Sequence, residues 1–216
     1  MALTKDQRFA FDVQGYIRLS GLLTARELKR LKGWMAAAEK TDLVALNNDL
    51  GGLQVEQLNR PVSRILDADP RFACLLDHPK VAPYLREFLG SDYRHIDNEL
   101  YYTHPGYKGG GWHRGVKEDA DGHVDAKGRF FCPMVKAFYC MSDVGPGQGE
   151  FVLVPGSHRS RLPVDFKNRV DLPGQLIFSD IKAGDVILFN EALLHNGRPN
   201  ITNKIRKTII INFGRK

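Results

Sequence analysis

From Tyr93 to the C-terminal end, short runs of β-prone residues are cut at regular intervals by glycine and proline. Residues 98–103 end at His104-Pro105-Gly106, 135–141 run towards Gly145-Pro146-Gly147, and 151–154 stop at Pro155-Gly156. Two further runs, 186–189 and 208–213, complete the series. Strands this short, separated by turns this frequent, have to close on one another as an antiparallel sandwich or barrel. Residues 116–130 are polar and contain glycine, so they read as an excursion between strands.

The first ~90 residues carry a different signal. A short strand around Gly15-Tyr16-Ile17-Arg18-Leu19 leads into Gly21-Leu22-Leu23, and Thr24-Ala25-Arg26-Glu27 then has the form of a capping box. Leu28, Leu31, Trp34 and Met35 follow at helical spacing. A second helix is expected over 70–76 and a third over 79–89, with Pro79 in its first turn and Gly90 as its stop. Residues 41–60 read as a loop or the edge of a lid. At 216 residues the expected organisation is one domain over 1–216, with a mostly helical flank (1–92) and a β core (93–216).

No run approaches the ~18 consecutive apolar residues of a membrane helix, and MALTKDQRFA lacks the apolar core of a signal peptide. A cytoplasmic location and no membrane partner are therefore expected. Cys74, Cys132 and Cys140 lack metal-type spacing and read as reduced thiols. The net charge of +6 suits an anionic or carrier-tethered small molecule. The basic residues sit on a helical face or at the C-terminus without interleaved aromatics, so no nucleic-acid partner is expected.

Chemistry concentrates in three residues. His113 lies in Trp112-His113-Arg114-Gly115, His195 ends the strand-like run 184–195, and Arg206 follows eleven residues later. Two imidazoles from different strands suit an iron ion, and a guanidinium on the next strand can grip a carboxylate in a bidentate fork. The usual third ligand in such a site is an acid two residues beyond the first histidine, on the same face of the strand. Here that position is Gly115. His78, His95 and His158 read as structural histidines, Trp112 as packing beside the metal, and Arg114 as pointing away from it. Lys136 and Tyr139 are pocket candidates.

Four stretches together resemble the phytanoyl-CoA dioxygenase family, in the wider group that includes ectoine hydroxylase. They are Phe11-x3-Gly15-Tyr16-Ile17 with Gly21-Leu22-Leu23, Pro105-Gly106 leading to Trp112-His113, Gly149 through Pro155-Gly156-Ser157-His158, and Gly184-Asp185 through His195 to Arg206. The resemblance implies a mainly β fold, a double-stranded β-helix of jelly-roll or cupin-like type with N-terminal flanking helices. It also implies Fe(II) on His113 and His195, 2-oxoglutarate on Arg206, and O2 as co-substrate in the oxidation of an aliphatic C–H of a small molecule. By position, Asn98 resembles an amide that helps hold the keto acid, and Tyr102 would face the same cavity.

Gly115 departs from the family pattern and leaves three readings open. Chloride fills the third position, as in iron/2-oxoglutarate halogenases, which carry Gly or Ala there. Alternatively a neighbouring acid swings in (Glu118, Asp119, Asp121, Asp125 or Glu150) and the enzyme is a hydroxylase. In the third, the fold has lost oxidative chemistry and serves as a binding module.

Overall fold

The computed structural model describes residues 3–38, 59–116, 123–125, 127–160, 166 and 169–216. At the centre of its main sheet lies β11 (Arg206–Gly214). The run Thr208-Ile209-Ile210-Ile211-Asn212-Phe213 is buried at every position, the pattern of a strand covered on both faces. It pairs antiparallel with β3 (Arg94–Thr103) on one side and β6 (Met134–Cys140) on the other. The full order is β1 (Tyr16–Leu19), β9 (Val186–Asn190), β6, β11, β3 and β2 (Asn59–Ser63). A second sheet runs β10 (His195–Gly197), β7 (Phe151–Leu153), β8 (Leu176–Ile177). A two-stranded ribbon, β4 (His123–Val124) and β5 (Phe130–Phe131), stands apart. The architecture is the expected mainly β, cupin-like double-stranded β-helix with N-terminal helices.

Register decides which side chains face which core. Ile209 and Ile211 align with Leu100 and Asn98 on β3 and with Tyr139 and Ala137 on β6. Leu100, Ala137, Tyr139, Ile209, Ile211 and Phe213 belong to the core shared with the helices. The alternate residues, Phe138, Ile187, Phe189 and Ile210, turn to the other side and pack with Phe151 and Leu153 of the second sheet. The functional site sits on this inner side.

Helix α1 (Lys5–Gln14) starts at a capping box in which Thr4 and Gln7 exchange hydrogen bonds. In the sequence its cap at Thr4 is masked by the β-like alternation around Tyr16. The helix ends at Gly15, whose φ of +80° suits glycine; a side chain there would press on the His158 ring. Helix α2 (Ala25–Ala38) begins at the expected box: the Thr24 hydroxyl accepts from Glu27 N at 3.2 Å and Glu27 accepts from Thr24 N at 2.7 Å. A one-turn helix α3 (Ile65–Ala68) and a 3-10 turn (Pro70–Leu75) precede α4 (Ala82–Leu89), which ends at Gly90. The N-terminal stretch thus supplies helices and, through β1 and β2, both edges of the main sheet. Among the described residues no helix is long and apolar enough to cross a membrane. The three cysteines are unpaired thiols, and burial pushes Cys132 and Cys140 up to about 12.

Phe88 of α4 fastens the helices to the sheet. It stacks on Phe11 with ring centres 3.5 Å apart and meets Phe130 edge-on at 5.3 Å, with none of its surface exposed. F88A should therefore cost about 3–5 kcal/mol in urea denaturation, the range for emptying a buried aromatic site.

Candidate metal centre

His113 and His195 come together through a two-way backbone exchange: His113 N donates to His195 O and His195 N to His113 O, both at 3.1 Å. The imidazole centres are 4.2 Å apart. The Nδ1 of His113 lies 2.9 Å from Gly111 O, and that of His195 2.9 Å from Leu193 O. With each Nδ1 hydrogen given to a carbonyl, both Nε2 lone pairs remain for a metal. His195 is buried, and desolvation, then the neighbouring His113 and Lys136, hold its pKa well below 6.5. His113 reaches solvent at the cavity mouth but is also shifted down, chiefly by desolvation. Both favour the neutral imidazole, the form that ligates.

Arg206, the first residue of β11, is buried at the far side of the same cavity. Its Nη1 donates to Gly149 O at 2.5 Å, and its Nε is buried with no hydrogen-bond partner among the described residues. Among the described residues no carboxylate pairs with it, although buried charges are normally paired. Desolvation lowers its pKa. The cavity, open to solvent and ≈ 180 Å³ in volume, is lined by Tyr101, Tyr107, His113, Lys136, His195 and Arg206, among others.

Asn98 and Tyr102, the other two expected cofactor contacts, do not reach this cavity. The Asn98 Oδ1 accepts from Leu66 N at 3.0 Å, and the Tyr102 hydroxyl donates to Met35 O at 3.0 Å. Both occupy the β3 face that packs on the helices, and the residue one step along, Tyr101, lines the cavity instead. Tyr139 follows the same parity and donates to Leu75 O, whereas Lys136 does face the site. Arg114 points away, donating to the carbonyls of Ser157 and Ala192, and Trp112 packs with Val152, Leu172 and Leu194.

Gly115 lies beside a residue that the sequence reading did not name. Its N–H donates to Glu191 O at 2.9 Å. A Cβ at position 115 would fall under 3.0 Å from the Oε1, Cδ and Cγ atoms of Glu191. Glu191 follows β9 and is held by its own N–H to Met134 O at 3.0 Å. Its Oε1 sits 2.7 Å from Lys136 Nζ and 3.9 Å from His195 Nε2, while its Oε2 is buried without a partner. Burial raises the carboxyl pKa against the pull of Lys136.

Of the acids expected to approach the metal, Glu118, Asp119 and Asp121 lie outside the described residues. Asp125 is paired with Arg129 in an exposed turn. Glu150 accepts from Gly147 N at 2.7 Å and does not line the cavity. Among the described residues no three His, Cys, Asp or Glu side chains already form a metal-holding group. Two imidazoles with ring centres 4.2 Å apart and the buried Glu191 carboxylate, its Oε1 3.9 Å from His195 Nε2, are nonetheless a donor set that fits a divalent iron ion.

No curated protein sequence matches the chain. Among solved structures it is similar to HygX from Streptomyces hygroscopicus with nickel and 2-oxoglutarate bound: 24% identity, TM-score 0.79, covering 100% of this chain and 88% of that one. It is also similar to the non-heme alpha ketoglutarate dependent carbocyclase SnoK from nogalamycin biosynthesis (18% identity, TM-score 0.71, 99% and 84% covered). The epimerase SnoN from the same biosynthesis gives 17% identity, TM-score 0.72, and 98% and 82% coverage. At these identities the likeness is one of fold. The family model for phytanoyl-CoA dioxygenase matches residues 11–208, and the chain belongs to that family.

Proposed function

We propose that the chain is a non-haem Fe(II)- and 2-oxoglutarate-dependent oxygenase acting on an aliphatic C–H of a small molecule. The observation that carries this reading is the convergence of two outward-facing imidazole Nε2 atoms and one unpaired buried guanidinium on a single cavity. His113 and His195 would hold the metal, and Arg206 would grip the distal carboxylate of 2-oxoglutarate in a water-poor setting where that ion pair is strong. Bound iron and 2-oxoglutarate supply the activation of O2, with the keto acid released as succinate and CO2. The net charge of +6 supports an anionic or carrier-tethered substrate. Fold neighbours with hygromycin B or nogalamycin RO bound support a small-molecule substrate.

The choice between hydroxylation and halogenation turns on the space beside Gly115. A halide would need that space, and the Glu191 carboxylate already fills it. Two anions there would repel, so the geometry favours a hydroxylase whose acidic ligand has moved. A retired binding module would have no use for Arg206 buried and unpaired beside two free Nε2 atoms.

Anaerobic Fe(II) and 2-oxoglutarate should produce the weak visible charge-transfer band of the chelate. Chloride should leave that band unchanged. Absence of the band together with absence of keto-acid binding would overturn the oxygenase reading, and a chloride-dependent shift would restore the halogenase.

A further inference from the structure

We infer that Glu191 supplies the carboxylate ligand that position 115 lacks, so that Gly115 is the room made for it. This rests on the iron/2-oxoglutarate reading above.

Three observations converge. The first is exclusion. Any side chain at position 115 would overlap the Glu191 carboxylate, and the Gly115 N–H to Glu191 O hydrogen bond at 2.9 Å fixes the two residues side by side. One site can hold an acid from either residue, not from both. The second is reach. Glu191 stands in the turn after β9 and His195 opens β10 four residues later, with Oε1 3.9 Å from Nε2, so a small side-chain rotation brings the carboxylate to a metal on that nitrogen. The third is unmet valence. The Glu191 side chain is 3% exposed; Lys136 engages Oε1, and Oε2 has no partner. A buried carboxylate oxygen left bare is costly, and a divalent ion beside the two imidazoles would satisfy it. Lys136, held on Oε1, would leave Oε2 as the ligating atom.

The competing role for Glu191 is a structural ion pair with Lys136 alone. That role predicts that E191Q lowers stability without changing metal affinity. The ligand role predicts a loss of affinity larger than the roughly 10–100-fold that follows removal of an outer-shell partner.

The experiment is anaerobic calorimetric titration of Fe(II), with Co(II) absorption as a second readout, on wild type, E191Q, E191A, G115D and the double variant G115D/E191A. Thermal melts of the apo proteins run in parallel. E191Q and E191A should each lose metal affinity by more than about 100-fold. G115D alone should melt lower, because its side chain collides with Glu191, whereas G115D/E191A should recover metal binding to within about tenfold of wild type. Should E191A fail to fold, the near-isosteric E191Q decides the matter. Wild-type affinity in a folded E191Q overturns the assignment and leaves the iron reading standing. A wild type that binds no metal overturns both.

Discussion

Replacing Arg206 by methionine should abolish 2-oxoglutarate binding while leaving Fe(II) binding in place. Arg206 is buried, and among the described residues its guanidinium donates to Gly149 O alone. Desolvation already depresses its pKa, so the charge is held at a cost that an incoming carboxylate would offset. Truncating one partner of a buried, hydrogen-bonded charge pair costs about 2–5 kcal/mol, or roughly 30- to 5,000-fold in affinity. Lysine should not rescue, because a point charge cannot reproduce the planar fork. The apo protein should melt at the same temperature or higher in R206M, since methionine fills much of the volume without an unpaired charge. Anaerobic titration of 2-oxoglutarate into the metal-loaded variant measures the first effect and a thermal melt the second. Undiminished keto-acid affinity in R206M would remove Arg206 from the site.

How much of this site could be read from the sequence depended on the kind of signal each residue left. His113, His195 and Arg206 are marked by their order and spacing; His195 and Arg206 each open a strand, and His113 meets His195 in an isolated bridge. The Thr24–Glu27 box and the Gly90 stop were legible because capping chemistry is local. Face was not legible. Every position of β11 from Thr208 to Phe213 is buried, and β6 is nearly as enclosed, so no polar alternation marks which side of these strands meets the cavity. Asn98 resembles a family position, Tyr102 stands four residues on and Tyr139 lies on a candidate pocket strand, but the register sends all three to the helical side.

Glu191 went unread for a different reason. The acids near Gly115 in sequence lie downstream of it or at Glu150, whereas Glu191 stands at the end of β9 and reaches Gly115 by tertiary packing. A signal did exist. In Val186-Ile187-Leu188-Phe189-Asn190-Glu191-Ala192-Leu193-Leu194-His195, one acid sits within an apolar run four residues before a candidate ligand. Acids in such runs are buried only when something compensates their charge. Lys136 supplies one half of that compensation, and the bare Oε2 marks the other half as open.

His195→Ala and His113→Ala should both weaken metal binding yet differ in what they do to the fold. Structural zinc in four-ligand sites is worth about 10–16 kcal/mol, so one ligand contributes about 2.5–4 kcal/mol and its loss weakens the metal by roughly 70- to 900-fold. That expectation is the same for both histidines. The surroundings are not. His195 is 4% exposed, with Phe189 and Phe151 rings 5.0 and 6.0 Å away, so H195A opens a hole in the inner core and should cost roughly 1–3 kcal/mol. His113 lies at the cavity mouth, where truncation should cost within about 0.5 kcal/mol. In wild type, metal at a hundredfold its dissociation constant should add about 2.7 kcal/mol of stability, and both variants should lose that increment. Apo and metal-loaded melts of the three proteins separate the two effects. Retained metal stabilisation in either variant would mean that the ion is held by a different pair of ligands.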